Sequence, residues 1–491
     1  MPYRRCVAAA LLALGIVGAG LSRADGLVGC RVSGLPHEVE CGSISRPLDP
    51  ANAGGVQIRI HYVVVPALAR RKLADPVFLL AGGPGQSAIG VAGAMMPILG
   101  RLNQRRDIVF VDQRGTGRSA PLQCDEMRRE PLSDETDPEL QIAALTRCRI
   151  ALEKLPHVGG SSGLRFYTTT IAMQDLDAVR RQLGATRIDL IGASYGTRAA
   201  LEYMRRYPQS VRRVVLDGVA PADMVLPASY STDAQAAFDA ALAACEGAPA
   251  CAAAHPSLRA NWRALLASLP KSISVADPRT GRIEPLRLTR EMLLGAVRGP
   301  LYLPALASTL PTAIDAAAAG RYEGLVGLDS LLSSRKGTQL AMGMHFSVVC
   351  AEDMPGLAAA KDRPGADFGD DLGRLYARIC ADWPRGDVPS DFYVVPPSRA
   401  PVLLLSGGAD PATPPRHGAR VAAALGPLAR HVVVPNAGHG LMGLGCMRDV
   451  VFRFVDAPDD AGALAVDASC ATQIPRPPAF RPEAPASGSS R

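Results

Sequence analysis

Lysine is scarce in this 491-residue chain, occurring only at Lys72, Lys154, Lys271, Lys336 and Lys361. Arginine therefore supplies nearly all of the 53 basic side chains, and it is scattered rather than gathered into a stripe, which argues against a nucleic-acid groove. Charged residues make up only 20% of the chain against 48% hydrophobic, which excludes a disordered or fibrous protein and leaves a globular enzyme or binding protein. Neither a C-x-x-C pair nor a His-Cys cluster occurs, so no zinc site is expected. No internal repeat is apparent. The N-terminal apolar run, Val7 to Leu21, falls short of the ~20 residues that span a bilayer.

That run follows the basic pair Arg4-Arg5 and precedes Ser22-Arg23-Ala24, the pattern of a secretory signal cleaved after Ala24. Residues 1–24 are read as a signal peptide, and the mature chain as exported to a periplasm or the medium without a membrane span. A lipid anchor at Cys30 is the minor alternative: Leu27-Val28-Gly29-Cys30 has the look of a lipobox, but polar residues 22–25 interrupt the apolar run before it. Loss of Cys6 leaves ten cysteines, an even count that suggests disulfides in an exported chain. The sequential couples Cys30/Cys41, Cys124/Cys148, Cys245/Cys251, Cys350/Cys380 and Cys446/Cys470 are the proposed bridges, each worth ~2–4 kcal/mol.

From Gln57 onward, short apolar segments alternate with helical patterns, which predicts an α/β class with a mostly parallel sheet flanked by helices. Expected strands are Ile58 to Val65, Val77 to Leu80, Ile108 to Val111, Ile188 to Ile191, Val211 to Leu216, Val402 to Leu405 and Val432 to Val434. Met173, Leu176, Val179 and Leu183 recur at helical spacing, with Thr170 as the expected cap and Gly184 as the stop. The core is thus expected over residues 25–221 and 396–474, with an inserted helical cap at 222–395. A disordered tail rich in Pro, Ser and Ala is expected from Pro475.

Gly192-Ala193-Ser194-Tyr195-Gly196 lies between an apolar strand and a helical pattern, the context in which G-x-S-x-G presents a nucleophilic serine on a sharp turn. A serine hydroxyl needs a base, and the base a carboxylate to orient it, in the chain order Ser, acid, His. His439, in the loop after the Val432 to Val434 strand, is the expected base; His417 is read as a surface helix residue. Asp410, just after the Val402 to Leu405 strand, is the expected acid, with Asp217 at the end of the Val211 to Leu216 strand as its rival. An oxyanion is expected to be held by the Tyr195 amide and by the loop bearing Gly82 and Gly83. Gly115-Thr116-Gly117-Arg118-Ser119-Ala120 formally fits a dinucleotide fingerprint, but Pro121 follows at once with no helix to receive a pyrophosphate, so a structural loop is the simpler account.

This set of motifs resembles the prolyl-aminopeptidase family of α/β-hydrolases, and within it the exported tripeptidyl-aminopeptidase-like branch. The resemblance rests on Gly82-Gly83-Pro84-Gly85, Asp112 to Ser119, Gly192 to Gly196, Gly407 to Pro414 and Gly438-His439-Gly440, with Ala81 where many members carry histidine. It implies a serine triad of Ser194, Asp410 and His439 under a helical cap, peptide substrates with a free N-terminus, and neither metal nor organic cofactor. A substrate ammonium needs a carboxylate; Glu352 and Asp353, in a segment resembling one typical of the branch, are the candidates. The expected activity is a serine aminopeptidase, with a carboxylesterase using the same triad as the alternative and a non-catalytic binding protein as a third reading.

Overall fold

The computed structural model describes residues 26–124, 138–277, 280–333 and 339–480. The expected signal peptide and Cys6 lie outside the described residues. Among the described residues, eleven strands are formed: β1 (Val28–Cys30), β2 (Val39–Pro47), β3 (Gln57–Val65), β4 (Val77–Leu80), β5 (Ile108–Val111), β6 (Ile188–Ala193), β7 (Val211–Asp217), β8 (Lys271–Ala276), β9 (Ile283–Leu288), β10 (Val402–Gly407) and β11 (Ala429–Val434). Nine of them build one sheet in the order β1-β2-β3-β5-β4-β6-β7-β10-β11. The β1/β2, β2/β3 and β3/β5 pairs are antiparallel, and every pair from β5 to β11 is parallel.

The central strands are apolar without alternation because both faces are covered. Successive side chains point to opposite faces, so each strand feeds two cores. Phe78, Val109, Leu190, Val214 and Leu404 enter one, and Leu79, Phe110, Ile191, Val215 and Leu405 the other. β1 and β2 fall outside the expected strands: β2 carries Gly, Ser, Arg and Pro rather than an apolar run, and pairing along β3 holds it.

The segment between β7 and β10 is not a uniform helical cap. Residues from Ala237 to Leu328 form their own apolar cluster, which includes the antiparallel hairpin β8/β9, where side chains alternate buried and exposed. By contrast, the helix Met342–Glu352 and the helix Asp371–Ala381 contribute Met344, Phe346, Val348, Cys350, Ile379 and Cys380 to the core under the main sheet. The helix expected to be capped by Thr170 spans Thr169–Gln182, with Thr168 at its N-cap instead. Gly184 follows at φ +69°, as a helix stop requires.

Two further expectations are corrected. The chain does not become disordered at Pro475: the Phe480 amide donates to Ser308 O at 2.9 Å, Thr312 Oγ1 donates to Phe480 O at 3.0 Å, and Ala479 packs against the insert's cluster. Residues 481–491 lie outside the described residues. Cys30 is bonded to Cys41, so its sulfur is not available for a thioether lipid. The other four couples are also disulfides, as their spacing suggested. Among the described residues, no helix is long and apolar enough to cross a membrane.

The Cys350–Cys380 bridge, with a separation of 30 residues, ties the two insert helices that join the core. Replacing both cysteines by alanine should lower the unfolding free energy in urea by about 3–4 kcal/mol, from the loop entropy restored to the unfolded chain. A midpoint unchanged from the parent would show that the bridge constrains nothing.

Candidate active site

Ser194 occupies the turn between β6 and the helix Tyr195–Arg206 at φ +56° and ψ −125°, a backbone geometry that costs a non-glycine residue about 1–3 kcal/mol. The flanking glycines make the turn possible. A Cβ on Gly192 would lie 2.4 Å from Gly196 O, and one on Gly196 would lie 2.1 Å from Leu80 O. Neither position tolerates a side chain. The turn is held by Ser194 N donating to Asp217 O at 2.8 Å and by Thr197 Oγ1 donating to Ser194 O at 2.7 Å.

Parallel register carries the other candidates to the same sheet edge. Asp410 follows β10, and Ala412 N and Thr413 N donate to its Oδ1 at 2.8 and 2.9 Å while Thr413 Oγ1 donates to Oδ2 at 2.8 Å. His439 follows β11, and its Nδ1 lies 2.8 Å from Asp410 Oδ2 and 3.1 Å from Thr413 Oγ1. Nε2 is thereby left as the nitrogen able to exchange a proton with a substrate-side group. Burial pushes the His439 pKa down, but the Asp410 carboxylate outweighs it and leaves the imidazole above its ordinary 6.5. Burial pushes Asp410 up, and the imidazole with the loop amides outweighs it, so that acid lies below its ordinary value.

Asp217, the rival acid, does something else. Its carboxylate accepts the amides of Leu441, at 2.8 and 2.9 Å, and of Met442 at 2.9 Å, so it anchors the loop that carries His439. The same loop is pinned from the insert, where His439 N donates to Tyr302 O at 2.9 Å and the imidazole meets the Tyr302 ring edge-on at 5.1 Å.

Ser194, His439 and Thr413 line one cavity of about 480 Å³ with Gly82, Gly83 and Tyr195. Among the described residues, none makes a hydrogen bond to Ser194 Oγ. Gly82 approaches so closely that a Cβ there would be 3.1 Å from Ser194 Cβ, and its amide donates to Gln86 Oε1 at 3.2 Å. The Tyr195 phenol is fixed by Gln113 Nε2 at 2.9 Å and Thr169 Oγ1 at 2.6 Å, which immobilises the residue whose amide adjoins the serine.

Glu352 and Asp353 are not open to a substrate. Each is 1% exposed and neither lines the cavity. Asp353 takes a bidentate pair from Arg198 at 2.9 and 3.0 Å together with the amide of Leu226, and Glu352 accepts from Thr169 N and Oγ1 at 2.7 and 2.9 Å. Burial raises Glu352 to about 7 against the opposing pull of Arg198. The expectation that this pair neutralises a substrate ammonium is therefore replaced by a structural role: Asp353 and Glu352 hold Arg198, on the helix that follows the serine. His417 is likewise corrected. It is 1% exposed and lies 2.9 Å from Asp233 Oδ2, joining the helix Pro415–Leu425 to the insert.

The Gly115 to Ala120 segment closes on itself, with Gly115 N donating to Ser119 O and Ser119 N to Thr116 O, both at 2.8 Å. Asp112 braces it by accepting Ser87 Oγ at 2.6 Å and Arg118 N at 3.1 Å. Much of the remaining cavity lining is polar or aromatic and comes from the insert: Tyr230, Arg298, Tyr302, His345 and Tyr376 sit on or at the ends of its helices. No local motif marks these five positions, so sequence reasoning passed over them.

Residues 75–269 match the α/β hydrolase fold, and residues 365–463 match the TAP-like protein family. Carboxylesterase B of Mycobacterium tuberculosis is 30% identical over 428 residues, covering 79% of this chain and 78% of the relative. The chain belongs to the TAP-like α/β-hydrolases. This hydrolase is also similar to serine protease Hip1 of Mycobacterium tuberculosis, 26% identical over 433 residues and 79% of either chain. Tripeptidyl aminopeptidase of Streptomyces lividans is 30% identical over 193 residues, covering 38% of the hydrolase and 36% of the relative.

Replacing Arg198 by Met strands two buried carboxylates, which should cost about 3–5 kcal/mol in denaturant unfolding. Adding Asp353→Leu should restore part of that loss, whereas additive losses in the double variant would refute the pairing as the source.

Proposed function

We propose that the hydrolase is an exported serine enzyme that cleaves short peptides near the N-terminus through an acyl-enzyme. The observation that carries this reading is the Asp410–His439 contact of 2.8 Å in the cavity wall that also bears the strained Ser194. Ser194 Oγ attacks the carbonyl while His439 Nε2 takes its proton, and Asp410 fixes the tautomer and the imidazolium that forms. Oxyanion charge falls to the Tyr195 amide and to the glycine loop; one such donor is worth about 3–4 kcal/mol. The Gly82 amide joins only after Gln86 releases it. His439 then returns its proton to the leaving amine and activates the water that frees the acyl group.

Export is supported by the sequence of residues 1–24 and by five disulfides, which persist in oxidising compartments. The peptide assignment draws on the relatives named as a serine protease and a tripeptidyl aminopeptidase. A second reading, ester hydrolysis, is favoured by one observation: no Asp or Glu is among the described residues lining the cavity.

Ser194→Ala should reduce turnover by about 10⁶ and abolish labelling by a fluorophosphonate. Retained turnover would end the triad assignment. Tripeptidyl amides offered free and N-acetylated should be cleaved in favour of the free form, and a preference for blocked amides or for esters would move the hydrolase to the second reading.

The base must be neutral to act. Because His439 titrates above 6.5, kcat/KM should rise with pH through a value above 6.5. Asp410→Asn removes the main raising partner and leaves the burial and the weaker pull of Asp217, so the limb should move to lower pH while kcat falls by about 10⁴. An unmoved limb would assign the titration to another group. Stability runs the other way: the His439 contribution is present below 6.5 and is lost as pH rises through the elevated value.

A further inference from the structure

Arg298, on the insert helix Arg290–Leu301, borders the same cavity as Ser194 and His439. Its guanidinium stacks over the Tyr230 ring at 4.4 Å, lies 5.3 Å from the centre of the Tyr302 ring, and donates through Nη2 to Tyr302 Oη at 2.8 Å. Its Nε is buried and has no hydrogen-bond partner. Among the described residues, no carboxylate lies within ion-pair distance of it. Glu139, Glu291 and Asp371 border an adjoining cavity that Arg298 also reaches, yet Glu139 pairs with Arg378, Asp371 with Arg374, and none of the three forms an ion pair with Arg298.

The four fully buried arginines among the described residues have their charge compensated, although Arg198 and Arg213 also carry an unpartnered Nε. Arg106 is paired with Asp75 and Asp456, Arg114 with Asp175 and Arg198 with Asp353. Arg213 rests on four backbone carbonyls at a helix end. Arg298, half-buried, instead faces the cavity with only phenols around its charge. A guanidinium cannot shed its proton, and an uncompensated cation in a partly dry site favours whatever anion can enter.

We propose that Arg298 is a specificity-determining residue that binds a carboxylate of the substrate, so that this hydrolase prefers small acyl compounds bearing a negative charge near the scissile bond. The inference rests on the serine-hydrolase reading of the cavity and adds the charge of its substrate. The carboxylate has two sources in a short peptide: an acidic side chain, or the free C-terminus when the product beyond the cut is only a residue or two long. Tyr302 links recognition to chemistry, since it receives the Arg298 hydrogen bond on its hydroxyl and supports His439 through its ring and carbonyl.

The test compares kcat/KM ratios within each preparation, so that loss of folded protein cancels. Tripeptides containing Glu or Gln, each with a free or an amidated C-terminus, and the p-nitrophenyl esters of succinate and butyrate serve as matched pairs. The wild-type enzyme should favour the carboxylate-bearing member of at least one pair by ten-fold or more. Arg298→Met should bring that ratio to within two-fold, and Arg298→Lys should retain part of it. Loss of preference on amidation assigns the terminal carboxylate, and loss on Glu-to-Gln exchange assigns the side chain. Equal ratios in wild type and Arg298→Met, or no wild-type preference, overturn the proposal. Absence of turnover together with absence of fluorophosphonate labelling would instead defeat the hydrolase reading. Calorimetric titration with succinate keeps the two separate: wild type should bind it at least ten-fold more tightly than Arg298→Met, and equal affinities would overturn the anion site whatever the catalytic result.

Discussion

Everything at the sheet edge depends on one steric constraint, the contact of bare glycine backbone where β6 meets the helix behind it. With Gly192 against the Gly196 carbonyl and Gly196 against the Leu80 carbonyl, strand and helix are drawn close enough to force the intervening residue into a positive φ. The strain is local, and the buried sheet sustains it. β6 is paired on both sides, by β4 and β7, and the amide of Ser194 is itself bound to the end of β7. A turn without such neighbours would relax.

From that edge the site is assembled by loops braced from below and from the insert. Two carboxylates at the ends of adjacent strands divide the work. Asp410 faces the imidazole, while Asp217 grips the backbone two and three residues beyond it. Both are buried, and both are satisfied by amide, hydroxyl or imidazole donors rather than by a guanidinium. The insert contributes through Tyr302 and through the helix ending at Glu352 and Asp353. Its position relative to the serine is set by the charged link from Arg198.

Much of this was legible in the residue pattern. The central strands are continuous apolar runs, and motifs at their C-terminal ends point to Ser194, Asp410 and His439 because this fold turns chain order into spatial adjacency. Cysteine parity and spacing pointed to all five bridges. What was not legible has physical reasons. β2 is polar and depends on its partner. The hairpin β8/β9 lies in a segment whose alanine-rich surroundings read as helix. Glu352 and Asp353 looked like free acids because their partners, Arg198 and Thr169, are more than 150 residues away in the chain. His417 looked exposed for the same reason, its Asp233 partner being 184 residues distant.

The stretch that runs from Pro475 to Phe480 leaves the core after the Cys446–Cys470 bridge and meets the insert at Ser308 and Thr312. The insert is thus fastened not only at its entry from β7 and its return to β10, and by the His417–Asp233 and Arg198–Asp353 links, but also by this terminal strap. A hinged swing of the whole lobe would have to peel the strap away first.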